Sequence, residues 1–414
     1  MIKAELITIG DELLYGHVLD TNASFIGEKV AEAGIELVYH TTVGDQAENL
    51  INAIAQAMNR VDIVLTTGGL GPTHDDITKK IICKYFKRQL VFHEEILKEL
   101  EKKYKAQGIK MPAINQNQAL LPQGAKFLEN SIGSALGIVI EEHGKTFVSM
   151  PGVPSEMKLM VTEQLMPLLK KLALGQVISH RKLRTIGIME SVIFEKVKDI
   201  VEEKSIIEIA FLPSFRGVDI RLTAKAKDGA EAKQAIEALE ARFTERIGKY
   251  IFGYDNEELP DIIGKLLRER NATIAVAESC TGGLLGKLFT DIPGSSEYFL
   301  GGVIAYSNDI KTKILNVPAL TLERHGAVSA ETARHMADGV RNLTGAMIGV
   351  SITGVAGPTG GTLEKPVGLT YVGLATPDGL KSKDLHYGKD RERNRQRAAY
   401  SAMDVVRRYL KNIA

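Results

Sequence analysis

The chain has 414 residues, 44% hydrophobic and 25% charged, with a net charge of +1, no tryptophan and two cysteines. That length calls for two or three domains, and the near-neutral balance excludes a disordered chain or a broadly basic nucleic-acid surface. Cys83 and Cys280 lie far apart and form no CxxC pair, which excludes a disulfide framework and a cysteine-based zinc site.

The first residues, "MIKAELITIGDELL", interrupt their apolar stretch with charges and lack a signal-peptide layout. No run of about 18 apolar residues follows, so a soluble, unprocessed cytoplasmic chain with no membrane role is expected. From Ala4 to about Leu172, β-branched runs alternate with helical patterns: "AELITIG", "SFIGEKVAEAG", "IELVYHTTVG", "LINAIAQAM", "VDIVLTTGG". This alternation predicts a parallel α/β sheet with crossover helices. Its functional loops then sit at the carboxyl ends of the strands, which read "GDELL", "VGD" and "TTGGLGPTHDD".

In "TTGGLGPTHDD" three glycines, Gly68, Gly69 and Gly71, follow a buried-strand pattern and precede a helix. Glycines let main-chain N–H groups approach an anion, and a helix start supplies more donors, so the loop is a candidate phosphate cradle. Asp75 and Asp76 are candidate ligands of a hard divalent cation. The same residues also fit plain capping, with Thr73 or Asp75 at the N-cap and Asp76 favouring the helix dipole. Asp11 and Glu12 follow another strand and fit either an acidic rim or a turn.

From about Ala173 to Tyr250 the texture changes. "RGVDIRLTAKAK" alternates Val218, Ile220, Leu222, Ala224 and Ala226 with polar residues, the period of a half-exposed antiparallel strand. A helical segment, "AKQAIEALEARFTERI", follows, so a small α+β module is expected, either a spacer that orients its neighbours or a nucleic-acid contact surface. Beyond the polar hinge "GYDNEELP", strands are predicted at "TIAVA", "GGVIAYS", "AMIGVSITG", "VGLTYVGLAT" and "KSKDLHYG", with a basic helix from about Arg391 to Leu410. The predicted organisation is thus an α/β domain at residues 1–172, a small α+β linker module at 173–252, and a second α/β domain at 253–414.

"AESCTGG", Ala277 to Gly283, ends a predicted strand and opens a helix. Ser279 there is a candidate nucleophile facing helix N–H donors, or else a simple N-cap. Cys280 is the stronger nucleophile in principle, yet a buried thiol more often acts as a small hydrophobe. The segment holds no histidine. "AYSNDIKTK" supplies Tyr306 and Lys311, with Lys313 as the nearest competitor, and a desolvated lysine serves as a base near neutral pH. Read singly, Lys311 fits a solvated surface position and Tyr306 a core wedge. Thr353 and the main chain at Gly354 to Gly357, in "SITGVAGPTGG", form a second glycine-rich turn that can bind substrate or be purely structural. In "KDRERNRQR", Arg391 and Arg395 lie one helical turn apart and so share a face suited to phosphate, although a charge run also fits a solvated surface.

"IGDELLYGHVLDTN" at Ile9 to Asn22, "TTGGLGPTHDD", "NSIGSALG" at Asn130 to Gly137 and "MPGVPSEM" at Met150 to Met157 together resemble the molybdopterin-binding-like domain of the CinA family. "AESCTGG", "GGVIAYSNDIK" and "GVAGPTGG" resemble that family's nicotinamide-nucleotide amidohydrolase domain. The resemblance covers essentially the whole chain. It implies two three-layer α/β domains, MoaB/MogA-like and CinA C-terminal, joined by the α+β module. For the first domain it implies an ADP-ribose pyrophosphatase giving AMP and ribose 5-phosphate, dependent on magnesium or a similar divalent metal. Asp75 and Asp76 would bear the metal, with Asp11, Glu12 and Asn22 nearby and Gly68, Gly69 and Gly71 as the cradle. For the second it implies deamidation of nicotinamide mononucleotide (NMN) to nicotinate mononucleotide and ammonia, without a cofactor. Ser279, Tyr306 and Lys311 would be catalytic; Thr281, Gly282, Gly283, Thr353, Gly354, Gly357, Arg391 and Arg395 would bind substrate. A homodimer is implied and nucleic-acid binding is not. The alternatives are a family member with one active domain, a non-catalytic competence or DNA-damage partner, or a molybdopterin-binding protein.

Overall fold

Apolar β-branched runs flanked by amphipathic helices build two sheets, each covered on both faces. The computed structural model describes residues 2–73, 76–173, 177–203 and 205–413. It divides into two units, Met1–Ser179 with Ala224–Ala235, and His180–Thr223 with Ile236–Ala414.

In the first unit, strands β1 (Lys3–Ile9), β2 (Glu36–Val43), β3 (Ile63–Thr67), β4 (Leu90–Phe92), β5 (Leu120–Pro122), β6 (Lys126–Leu128), β7 (Gly137–Glu142) and β8 (Lys145–Met150) follow in chain order. Six of them form a sheet in the order β2-β1-β3-β8-β7-β6, and β4 pairs with β5 apart from it. Pairings β1–β2, β1–β3 and β3–β8 are parallel, as the βαβ spacing predicts. β7 runs antiparallel to β8 and to β6, so the sheet is mixed rather than wholly parallel. The cause is local. His143 (φ 53°) and Gly144 (φ 77°) make a two-residue hairpin turn of left-handed residues, which folds β8 straight back on β7. Leu6, Ile63, Leu65 and Val148 face one core with Ile26 and Met157, while Ile7, Val64 and Phe147 face another with Leu50, Ile54 and Ile81. Alternate residues of each strand thus serve opposite layers.

The four-stranded sheet that follows comprises β9 (Val177–Thr185), β10 (Ile207–Pro213), β11 (Val218–Ala226) and β12 (Ile251–Tyr254), in the order β10-β11-β9-β12. Val218, Ile220, Leu222 and Ala224 are buried, as their alternation predicts. The last sheet holds β13 (Ile274–Glu278), β14 (Phe299–Ile304), β15 (Ile348–Gly354), β16 (Leu369–Thr376) and β17 (Gly379–His386), in the order β14-β13-β15-β16-β17. β13 is parallel to both neighbours; β16 is antiparallel to β15 and β17. Ile274 and Val276 point into one core with Leu285 and Met403, and Ala275 and Ala277 into the other with Met336 and Val340. The C-terminal helix, Arg391–Leu410, covers the first of these faces. Its Arg407, fully buried, donates to Asp404 and to the carbonyls of Lys249 and Ile251, so the charge is compensated where it is buried.

Candidate active site

Strand β13 ends in Glu278, and the chain turns through Ser279 to Gly283 into the helix Leu284–Thr290. Gly282 (φ 61°) and Gly283 (φ 97°) take left-handed conformations that this tight turn requires. Ser279 is pinned by its N–H to the Ile352 carbonyl of β15 at 2.9 Å. Across β13 lies β14, after which Ser307 caps the helix Asn308–Lys313 and places Lys311 in its first turns. Lys311 is 1% exposed, not solvated. Its Nζ lies 2.8 Å from the Ala305 carbonyl, 3.4 Å from the Tyr306 carbonyl and 3.3 Å from Ser279 Oγ. Burial pulls its pKa below the usual lysine range, against a smaller opposing effect of Cys280.

The amine donates to both carbonyls and to Ser279 Oγ. Once deprotonated it keeps two N–H bonds for the carbonyls, and its lone pair can accept the Ser279 hydroxyl proton. The competitors fall away. Lys313 is a surface residue paired with Asp309 at 3.1 Å. Cys280 is buried, which pushes its thiol up to about 11, away from the reactive thiolate. Tyr306 is 65% exposed, so it is no core wedge; its main-chain carbonyl approaches Lys311, and its phenol joins none of the hydrogen bonds around that amine.

The C-terminal helix ties the surrounding loops together. Arg391 donates to the Gly357 carbonyl at 2.9 Å, and Arg395 to the Thr281 carbonyl at 2.8 Å. The shared face predicted for the two arginines is therefore directed at both glycine-rich turns. Between them, buried Asn394 donates to the carbonyls of Ala356 and Gly388. Sequence reading passed over Asn394, because a polar residue inside an arginine run carries no signal of burial. Gly354 and Gly357 have no room for a side chain, since an added Cβ would meet Leu369 O at 2.7 Å and Val367 at 2.5 Å respectively. Thr353 is buried and gives its hydroxyl proton to the Ala327 carbonyl at 2.7 Å, a structural use of the group. Thr281 is wholly buried too, but its hydroxyl has no partner among the described residues.

One expectation needs correction. The helix N–H donors that Ser279 was expected to face are taken by Glu278, and Ser279 does not cap that helix.

In the first unit the glycine loop is also tightly built. An added Cβ at Gly68 would meet Ile9 O at 2.3 Å, and at Gly69 the Thr78 hydroxyl at 2.2 Å. Asp76 folds back on the loop, accepting from Gly71 N–H at 2.8 Å, Thr73 N–H at 2.9 Å and the Thr73 hydroxyl at 2.6 Å. Asp11 and Asp45 each accept the other's main-chain N–H. Glu12 lies back over Gly10, and Asn22 donates to Gly152 O and Thr67 while its Oδ1 has no partner among the described residues. Asp75 lies outside the described residues. Among the described residues no group of three or more His, Cys, Asp or Glu side chains is placed to hold a metal ion. Asp11, Glu12 and Asp76 form no such group of three, and Asp76 and Asp11 bond neighbouring N–H groups.

Three family models cover the chain: a probable molybdopterin binding domain at residues 5–171, a damage-inducible protein CinA KH domain at 180–253 and a CinA C-terminal domain at 256–410. A putative competence-damage inducible protein of Caldicellulosiruptor bescii is 43% identical over 405 residues, 98% of each chain. A CinA-like protein of Dictyoglomus turgidum is 40% identical over 412 residues, 100% of both. Among solved structures, the competence/damage inducible protein CihA from Agrobacterium tumefaciens is 35% identical, with a TM-score of 0.36, covering 37% of this chain and 93% of that one. With relatives this similar along its whole length, the chain belongs to the CinA family.

Proposed function

We propose that the C-terminal half is a serine amidohydrolase that converts NMN to nicotinate mononucleotide and ammonia. The observation that carries this reading is the buried Lys311 amine 3.3 Å from Ser279 Oγ, held there by the Ala305 and Tyr306 carbonyls. Lys311 accepts the Ser279 proton as Oγ bonds to the carboxamide carbon, whose π electrons move to oxygen. Collapse of the tetrahedral adduct breaks the C–N bond as Lys311 returns the proton to nitrogen, and ammonia leaves. Water then repeats the sequence on the acyl-serine, with Lys311 again taking and returning a proton. Arg391 is anchored by one nitrogen on the Gly357 carbonyl and Arg395 by one on the Thr281 carbonyl and another on Glu392, and their remaining N–H groups are available for the 5′-phosphate.

For the first unit we propose a nucleotide site at Gly68, Gly69, Gly71 and Asn22, where Asn22 Oδ1, without a partner among the described residues, can accept from a ribose hydroxyl. ADP-ribose hydrolysis there is assayed with and without added divalent metals. The deamidase is tested by ammonia release from NMN beside S279A and K311A variants shown to be folded by circular dichroism. Activity that vanishes in both is expected; a folded, inactive wild type overturns the reading.

A further inference from the structure

We propose that Glu278 is a positioning residue for Ser279, stapling shut the turn that carries it and keeping anions off the following helix. Glu278 is 1% exposed at the end of β13. Its Oε2 accepts from Gly283 N–H at 3.0 Å and Leu285 N–H at 3.1 Å, and its Oε1 from Gly286 N–H at 2.8 Å. The side chain therefore spans the turn from the residue before Ser279 to the residue where the helix begins. Gly283 is the helix N-cap and offers no side chain, so Glu278 supplies the cap from outside the helix.

Two consequences follow. The main chain of Ser279 is held at both ends: by Glu278 through the turn, and by the bond from Ser279 N–H to Ile352. The first N–H groups of the helix, a natural place for a phosphate or an oxyanion, already carry a carboxylate. Oxyanion stabilisation then falls to the turn itself, where the buried Thr281 hydroxyl is unpartnered, and the substrate phosphate is directed elsewhere.

The kinetic part of this inference rests on the deamidase reading; the structural part does not. E278Q keeps the size of the side chain but sets an NH2 group against main-chain N–H donors. In folded E278Q, kcat on NMN is expected to fall about 10²-fold, as displacement of a reacting group does, with KM within about threefold because the phosphate contacts are untouched. A folded E278Q with kcat within about twofold of wild type overturns the proposal. So does a loss confined to KM. Amide hydrogen exchange of residues 281–289 in the full-length protein is measured alongside. Strong protection in wild type and its loss in E278Q are expected, and exchange in wild type at the rate of an open loop overturns the staple even if E278Q fails to fold. If wild type releases no ammonia, the deamidase reading falls while the exchange data still decide on Glu278.

Discussion

Both halves of this chain place a glycine-rich turn after a parallel strand, and in both a carboxylate closes it, yet among the described residues only the second turn has a nucleophile and base in contact. At Gly68 to Asp76, the aspartate caps the loop from within, and the nearby buried lysine, Lys79, is bound to Gln118 and Asn117. At Ser279 to Gly283 the closing carboxylate comes from the strand, which frees the turn to present a serine to Lys311. A glycine turn after a strand is thus a scaffold, and its chemistry is decided by which side chains are left over once its N–H groups are satisfied.

The largest effect expected from this contrast lies at Lys311. K311M should lower deamidation by about 10²–10⁴-fold, the usual range for loss of a general base, measured as ammonia release. The same base sets the pH profile. Lys311 must be neutral to work, so kcat/KM should rise with pH to a plateau, with its midpoint below the ordinary lysine value of 10.5. K311R, which stays protonated, should not recover the activity.

The second expected effect separates two uses of Arg395. As a clasp on the Thr281 carbonyl it matters for any substrate; as a phosphate contact it matters only for the nucleotide. R395A should lower kcat/KM about 10²-fold on NMN and about tenfold on the phosphate-free riboside, each charged hydrogen bond counting for about a factor of ten. Equal losses on both substrates would leave Arg395 as a clasp alone.

Most of the C-terminal fold is legible in its sequence, because β13, β15 and β16 are apolar runs and the last helix begins at its Asp390 N-cap. Strand direction is less so. "VGLTYVGLAT" reads the same whether β16 runs with or against β15, and only the connection between them decides. Ser279 and Lys311 are readable as candidates, but their contact depends on the adjacency of β13 and β14. Glu278 was missed because a glutamate beside a turn looks solvated. The available signal was a helix starting at Gly283 with no Ser, Thr, Asp or Asn at its N-cap, which leaves N–H groups to be satisfied from elsewhere.

In the N-terminal turn, Lys79 should report its burial through stability. Desolvation pulls its pKa from 10.5 to about 8, with Asp76 opposing. Between those values the unfolded chain binds the proton more often than the folded one, so folding gains stability as pH rises through this window. Below pH 8 the buried ammonium carries its full penalty. Wild type should therefore gain on K79M by about 2–3 kcal/mol between pH 7 and pH 10, measured by urea denaturation. A difference independent of pH would mean that water reaches the amine.

The smallest effect concerns Asp76 and bears on whether the first turn is a metal centre or a closed loop. Its carboxylate accepts from Gly71 N–H, Thr73 N–H and the Thr73 hydroxyl, so D76A should lower stability by about 1–2 kcal/mol in the presence of a chelator, as loss of a cap does. A ligand role predicts the opposite dependence. If Asp76 held a cation, wild type would be stabilised by added magnesium or manganese, D76A would not, and the two would differ little in the chelator. Thermal unfolding of both proteins with and without metal therefore distinguishes the two uses of one carboxylate. The bonds to its own loop favour the first, because a metal would have to draw Asp76 away from donors it already satisfies.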